Sequence, residues 1–424
     1  MTSQDGTGNA PSPRQMAEAI LDSAAREFAP RRMTAYAHWF TDAHDSALVA
    51  VIPNTGEAEA YDEVLAYALA WQHDRDLLLV VPKTMQVQLA TRLPWLGTTV
   101  RLYAYDGQSA PTPVPALSRA EVLDRLRDLT IRKSRIPNLT DEQREWLATI
   151  DTTGLAAHER SYLSWHHEGL QVLKVSTVRG GLRVQAGVQY TNPPQGREPF
   201  DKVFMAAPSP AESDVINAKI RLAIEDGGSK TSQMGEHKMQ ATLASQAADL
   251  GLIRLLREFP AWRGPSGSGR GRTGYVDFFG IDGDGRLHVV ETKIGHDPRV
   301  VLQALDYAMW VRANDAEIRQ SLRAQGHDLP DVDLHSDAAA PIHLVLAAKD
   351  RTPAFNAYLA GQIEALAGDT RIHVHLTEDF AATPIALKAL SRSAMWTKTT
   401  LVAEPVTGPR WPGGLTTGLT TNQP

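Results

Sequence analysis

Short continuous apolar runs alternate with helix-period stretches along the first hundred residues. ALVAVIP (47–53), DLLLVVP (76–82) and TVRLYAYD (99–106) read as buried strands, and YDEVLAYALAWQ (61–72) reads as a helix between the first two. A helix-like pattern precedes them from about residue 15 to Phe40. Strands alternating with helices predict a parallel α/β layer over residues 15–115. The Pro-rich stretch SAPTPVPALS (109–118) marks a boundary. A middle segment, 116–210, follows, with helices around 119–130 and 141–149. It also carries a hairpin, LQVLKVSTVRGGLRVQAGVQY (170–190), that turns at Gly180-Gly181.

The period switches again in the last third. Met239, Leu243, Leu250, Ile253 and Leu256 fall near helical spacing and predict a helix over 232–258, broken at Gly251. The loop RGPSGSGRGRTG leads into a strand, GYVDFFGI (274–281); DGDG (282–285) signals a tight turn, and RLHVVETKI (286–294) returns as the partner strand. Asp297 reads as an N-cap with Pro298 at the first helical position, opening the helix PRVVLQALDYAMWVRAND. Two more strands, PIHLVLAA (341–348) and RIHVHLT (371–377), flank a helix around 354–366. The fold class is therefore α/β, with a unit over 211–398 ordered helix, hairpin, helix, strand, helix, strand. Residues 1–14 and the Gly/Thr/Pro-rich tail 399–424 are expected to be disordered.

Composition narrows the setting. A length of 424 residues suggests two or three domains at about 150 residues each. No stretch approaches about 18 uninterrupted apolar residues, which argues against a membrane span. The polar start MTSQDGTGNAPSPRQ lacks the apolar core of a secretory signal, and with no cysteine there is neither a disulfide framework nor a thiolate metal site. A cytoplasmic setting fits. The net charge of −6 excludes a uniformly basic nucleic-acid coat, so any such contact is local.

The chemistry concentrates in HVVETK (288–293). Two valines mark a buried strand, yet Glu291 and Lys293 follow on one face of it. Buried charge is costly without a partner. The hairpin can bring Asp277, on the preceding strand, close to Glu291, so that two carboxylates share one hard cation such as Mg²⁺ or Mn²⁺. Such an ion acidifies water and offsets charge on a phosphate, and a lysine two residues beyond Glu291 can stabilise the transition state.

GYVD (274–277), ETK (291–293) and QALDY (303–307) resemble, in that order, the three motifs of the PD-(D/E)XK nuclease superfamily in its RecB-like branch: GxxD, acid-x-Lys and QxxxY. The resemblance covers about 215–395. It implies a restriction-endonuclease-like core of αβββαβ type, with a separate N-terminal α/β domain. It implies Asp277 and Glu291 as metal ligands, Lys293 as the catalytic lysine, Gln303 and Tyr307 facing the site, and Glu236 as a further ligand from the preceding helix. The implied activity is a Mg²⁺- or Mn²⁺-dependent deoxyribonuclease, endonuclease rather than exonuclease, serving restriction, antiviral defence or repair. A non-catalytic nucleic-acid-binding or assembly protein on the same fold, and an RNA-directed nuclease, stay open as alternatives.

Other patterns are set aside or left open. IDGDG lacks the closing glutamate of a calcium loop, since Lys293 stands at the twelfth position from Asp282. The Gly-rich 264–274 segment and GGSKT (227–231) lack the order of a phosphate-binding P-loop. WHHE (165–168) and HVH (373–375) lack a third spaced ligand. Arg254, Arg257, Arg263, Arg270 and Arg272 face only Glu258 in charge and suggest phosphate contact, and RLRDLTIRKSR (125–135) is a second basic cluster. The expected partner is DNA. The N-terminal region carries no comparable motif and is expected to recognise or regulate, with a protein partner, a small ligand at IPNTGE, or homodimerisation left open.

Overall fold

The computed structural model describes residues 11–28, 36–54, 58–72, 74–106, 109–127, 139–159, 162–167, 170–179, 181–187, 198–225, 232–265, 271–324, 329, 330, 332, 338–348 and 355–390. It is a mixed α/β protein, and its strands form three sheets. Among the described residues no helix is long and apolar enough to cross a membrane.

The first sheet orders β1 (Arg26–Glu27), β2 (His38–Thr41), β3 (Ala47–Val51), β4 (Asp76–Pro82), β5 (Val100–Tyr105) and β6 (Thr112–Pro113) side by side. The central strands β3, β4 and β5 are parallel. β3 and β4 are continuous apolar runs because both faces are covered. Leu48, Ala50, Leu77 and Leu79 pack with residues of α2 (Ala58–Trp71). Val49, Val51, Leu78 and Val80 pack with Met16 and Ala17 of α1 (Pro13–Leu21). α3 (Gln86–Ala90) and α4 (Arg119–Arg127) complete this part.

The helix expected up to Phe40 ends at Leu21, where Asp22 takes a left-handed conformation. Trp39 and Phe40, both buried, belong to β2 and face opposite cores. Alternation, not a helical stripe, explains that pair. Pro13 and Arg14, expected to be disordered, open α1 behind a Ser12/Gln15 capping box. The Pro-rich boundary supplies β6, at the sheet edge where proline costs no ladder bond.

The middle segment holds α5 (Asp141–Leu147) and the antiparallel sheet β7 (Ala156–Glu159), β8 (Leu163–His167), β9 (Leu170–Val178), β10 (Gly181–Ala186) and β11 (Phe200–Phe204), and α6 (Pro210–Glu225), beyond the expected boundary at 210, packs with it. The expected hairpin is β9–β10, with Gly181 opposite Val178. Trp146, Val172, Val184, Ile216 and Ile220 form its own core.

The third sheet carries β12 (Arg254–Pro265), β13 (Gly271–Ile281), β14 (Leu287–Ile294), β15 (Ile342–Ala347), β16 (Ile372–Thr377) and β17 (Lys388–Leu390) in that order. β12, β13 and β14 are antiparallel neighbours, while β14, β15 and β16 run parallel. α7 (Ser232–Leu243) precedes it; α8 (Val300–Ala313), α9 (Asp315–Ala324) and α10 (Ala357–Glu364) are inserted along it. The helix expected over 232–258 stops at Leu243. Gly251 turns the chain at φ +73°, and Arg254–Leu256 then pair with Ile281–Phe279. Leu250 and Leu256 therefore match a helical period only by coincidence. α8 begins at Val300 rather than at Pro298, because the Asp297 carboxylate accepts from the Arg299 N–H at 2.9 Å and holds a turn first.

The first and third sheets are not separate bodies. One hydrophobic cluster contains Leu65, Leu79 and Trp95 together with Val289, Leu305, Trp310 and Leu344. Tyr67 and Trp71 of α2 meet Tyr358 of α10 edge-on at 5.6 Å. Gly361 eases that approach, since a Cβ there would lie a tight 3.1 Å from the Ala70 Cα. Inside this seam, Arg92 donates from Nε and Nη2 to both oxygens of Asp306 on α8, at 2.7 and 2.6 Å, and from Nη1 to Asp62 of α2 at 2.6 Å. Burial opposes the guanidinium charge, but Asp306 and Asp62 outweigh it and raise its pKa. Removing one partner of a buried ion pair strands the other charge. Arg92→Met, measured by urea unfolding of the full chain, is expected to lose about 3–5 kcal/mol.

Candidate active site

β13 and β14 pair in register only from Ile281↔Leu287 to Phe278↔Val290. Past Phe278 the register pairing of β13 with β14 ends, and there the Glu291 side chain reaches the Asp277 backbone. The Asp277 N–H points to Glu291 Oε1 at 3.4 Å, and Asp277 Oδ2 accepts from both the N–H and the hydroxyl of Thr292, at 2.8 and 2.7 Å. Its other oxygen is not used in these bonds. Glu291 is 2% exposed, and its Oε2 accepts from Gln303 Nε2 of α8 at 3.2 Å. The Lys293 ammonium lies 3.5 Å from Glu236 of α7 and 4.0 Å from Asp297.

Electrostatics follow from this crowding. Desolvation raises the pKa of Asp277 against the hydrogen bonds from Thr292 and the charges of Lys293 and Arg257. Desolvation also raises Glu236, with Lys293 opposing and Asp277 adding. Burial works against the Lys293 ammonium, yet Glu236, Asp297, Asp277 and Glu291 together hold its pKa above the ordinary value. The protein's own cations leave Asp277 and Glu236 short of full compensation.

Among the described residues no group of three or more His, Asp and Glu side chains is drawn together as a metal cage. A small hard cation does not require one, because Mg²⁺ is commonly held by one or two carboxylates with waters and substrate phosphates. Asp277 and Glu291 have that chemistry: oxygen donors from neighbouring strands, each oriented by hydrogen bonds. The residues fit such an ion.

Of the residues expected at the site, Asp277, Glu291, Lys293, Gln303 and Glu236 come together. Tyr307, one turn on from Gln303 along α8, is 1% exposed and belongs to the main apolar cluster. Arg257, expected only as one of a basic cluster for phosphate contact, joins the site, and Thr292 and Gln240 join it without having been expected there. Gln240 Nε2 donates to the Thr292 hydroxyl at 2.9 Å, and its Oε1 accepts from Arg257 at 3.1 Å. Gln240 stands four residues after Glu236, on the same helix face, and that spacing was the available signal. Thr292 occupies the variable place of the acid-x-Lys motif, where no signal exists.

The HVH histidines acquire partners that spacing could not supply. His288, His343 and His375 form a hydrogen-bonded ladder across β14, β15 and β16, at 3.0 and 3.2 Å, ending on Asp282 at 3.1 Å. Since Asp282 can only accept, each neutral ring donates from Nε2 and accepts at Nδ1 along the ladder. His343 also stacks on His373, with ring centroids 4.7 Å apart. In WHHE, His166 bonds Ser164 at 3.0 Å, and residue 168 lies outside the described residues. The chain matches no protein-family model, no curated protein and no solved structure.

Desolvation and neighbouring rings push His343 down to about 2 and His375 down to about 4. The unfolded chain therefore takes up protons below about pH 6.5 that the native state refuses. Stability is complete above that pH and falls as the pH drops toward the folded values. Urea midpoints of the full chain should decline from pH 7 to pH 5, and His343→Gln should flatten that decline. An unchanged slope in the variant would refute the ladder's role.

Proposed function

We propose that the chain is a divalent-metal-dependent nuclease that hydrolyses DNA phosphodiester bonds at the Asp277–Glu291–Lys293 site. One observation carries the reading: the Glu291 carboxylate reaches the Asp277 backbone where β13 leaves β14, and Glu236, Asp277 and Glu291 all act on the Lys293 ammonium. The succession of α7, three antiparallel strands, α8 and the parallel β15 supports the αβββαβ reading. Asp277 and Glu291 would hold Mg²⁺ or Mn²⁺, which when bound offsets phosphate charge and acidifies water. Thr292 fixes the aim of Asp277, and the Gln303 amide fixes Glu291. Glu236 and Asp297 keep Lys293 protonated, so it presents a full positive charge to a phosphate. The N-terminal region serves this site as a recognition or regulatory module, and it reaches α8 directly through Arg92.

Plasmid cleavage with Mg²⁺ or Mn²⁺ tests the activity. Lys293→Ala is expected to lower the rate by about 10²–10³, the scale for removing one transition-state donor, and Glu291→Gln by at least as much. Equal cleavage, or none, by wild type and both variants on DNA would leave the non-catalytic binding reading. Cleavage of RNA alone would replace the substrate.

Metal binding has its own readout. At about 100 times its dissociation constant, Mn²⁺ should stabilise the full chain by about 2.7 kcal/mol. Asp277→Asn should abolish the gain. Because ligation needs ionised carboxylates and Asp277 is raised, the gain should shrink as the pH falls.

A further inference from the structure

Thr292 pairs in register with Val345 of β15. Val345, Val290 on the same face of β14, and Leu243 three residues beyond Gln240 on α7 belong to one apolar cluster. Gln240 and Thr292, 3% and 1% exposed, are the polar exceptions in this setting. Leucine at 240 and valine at 292 would pack there without desolvating an amide or a hydroxyl. The polar pair does something that packing does not: it completes a line of hydrogen bonds that ends on Asp277.

The direction of that line follows from its first member, because an arginine can only donate. Arg257 donates from Nη2 to Gln240 Oε1 at 3.1 Å, and His237 Nδ1 lies 3.3 Å from the same oxygen. The amide nitrogen is thereby turned to Thr292 and donates to its hydroxyl at 2.9 Å. That hydroxyl, already accepting, sends its only hydrogen to Asp277 Oδ2 at 2.7 Å, where the Thr292 N–H also arrives at 2.8 Å. Two donors on Oδ2 leave Oδ1 as the oxygen for a ligand from outside. We propose that Gln240 and Arg257 are positioning residues for a divalent cation. Together they set the direction of the Thr292 hydroxyl, which keeps Oδ2 occupied and makes Oδ1 the oxygen offered to the ion. The proposal rests on the reading of Asp277 as a metal ligand.

The test titrates Mn²⁺ into the full chain and follows free Mn²⁺ by electron paramagnetic resonance, with urea midpoints measured without metal. Gln240→Glu is the deciding variant. The new carboxylate still accepts from Arg257 but cannot donate, so the Thr292 hydrogen turns to it and away from Asp277. Its added negative charge, acting alone, would tighten cation binding, whereas reversal of the line weakens it. The dissociation constant for Mn²⁺ is expected to rise about 10-fold or more, the scale for losing a partner of a metal ligand, with the urea midpoint held. Thr292→Val, which keeps the shape and loses the hydroxyl, should weaken binding equally, and Thr292→Ser should restore it. If Gln240→Glu does not fold, the two Thr292 variants decide. Binding by Gln240→Glu as tight as wild type or tighter, unchanged binding by Thr292→Val, or no rescue by Thr292→Ser overturns the proposal and leaves the metal site standing. A wild type that takes up no Mn²⁺ removes the metal reading and the proposal with it.

Discussion

The buried bond of Arg92 to Asp306 is the constraint on which the two α/β layers depend. Apolar packing alone would let α2 and α8 slide, because the hydrophobic effect has no direction. A bidentate guanidinium–carboxylate contact fixes distance and plane together. Asp62 adds a third bond from the helix that covers the first sheet, and Gln88 in turn donates to Asp62 at 2.6 Å. Such a charge cluster gains little net stability over an apolar one. What it adds is register.

That register matters because α8 has no free face. Val301, Leu302, Ala304, Leu305, Ala308, Met309 and Trp310 are all buried, so the helix serves both sheets as core. Gln303 and Arg312 are its partly exposed exceptions, and Gln303 touches Glu291. Asp306 follows one turn later and touches Arg92. The first sheet and the carboxylate site are thus fastened to the same turn of one helix. A shift of that turn, from either side, must move Gln303 and with it the Glu291 carboxylate. This gives the N-terminal region a physical route to the site without any motif of its own.

Much of this was legible in the sequence where one period ruled. β4 matches DLLLVVP, β15 lies one residue inside each expected end, and β16 begins one residue late and ends as expected, because uninterrupted apolar runs between breakers admit few readings. The carboxylate pair was legible because a tight hairpin turn fixes register. Asp282 accepts from the N–H of Asp284 and of Arg286, and Gly285 takes φ +80°, so β13 must return as β14. Legibility failed where two periods coincide. Leu250, Ile253 and Leu256 satisfy a helical spacing, yet Ile253 is 68% exposed and the chain there is turning into β12. It failed again for contacts between distant segments: nothing local in Arg92 announces Asp306, and nothing in HVH announces His288.

β14 itself shows why the site had to be assembled rather than merely encoded. Glu291 on one face joins α8 and the shared core, while His288 and Thr292 on the other join the histidine ladder and Gln240. Alternation gives each face its own polar system on a strand that is buried almost throughout. The two systems solve the cost of burial in different ways. The imidazoles surrender their charge and satisfy one another as neutral donors and acceptors. Lys293 cannot do the same while four carboxylates hold its proton, and Asp277 keeps two hydrogen bonds suited to its ionised form. A strand that can bury neutral histidines on one face, yet retains charge on the other, retains it at the point where β13 departs and the sheet opens. Only at this end of β14 does the burial ease, with the Lys293 and Glu236 side chains part-exposed at 29% and 24%.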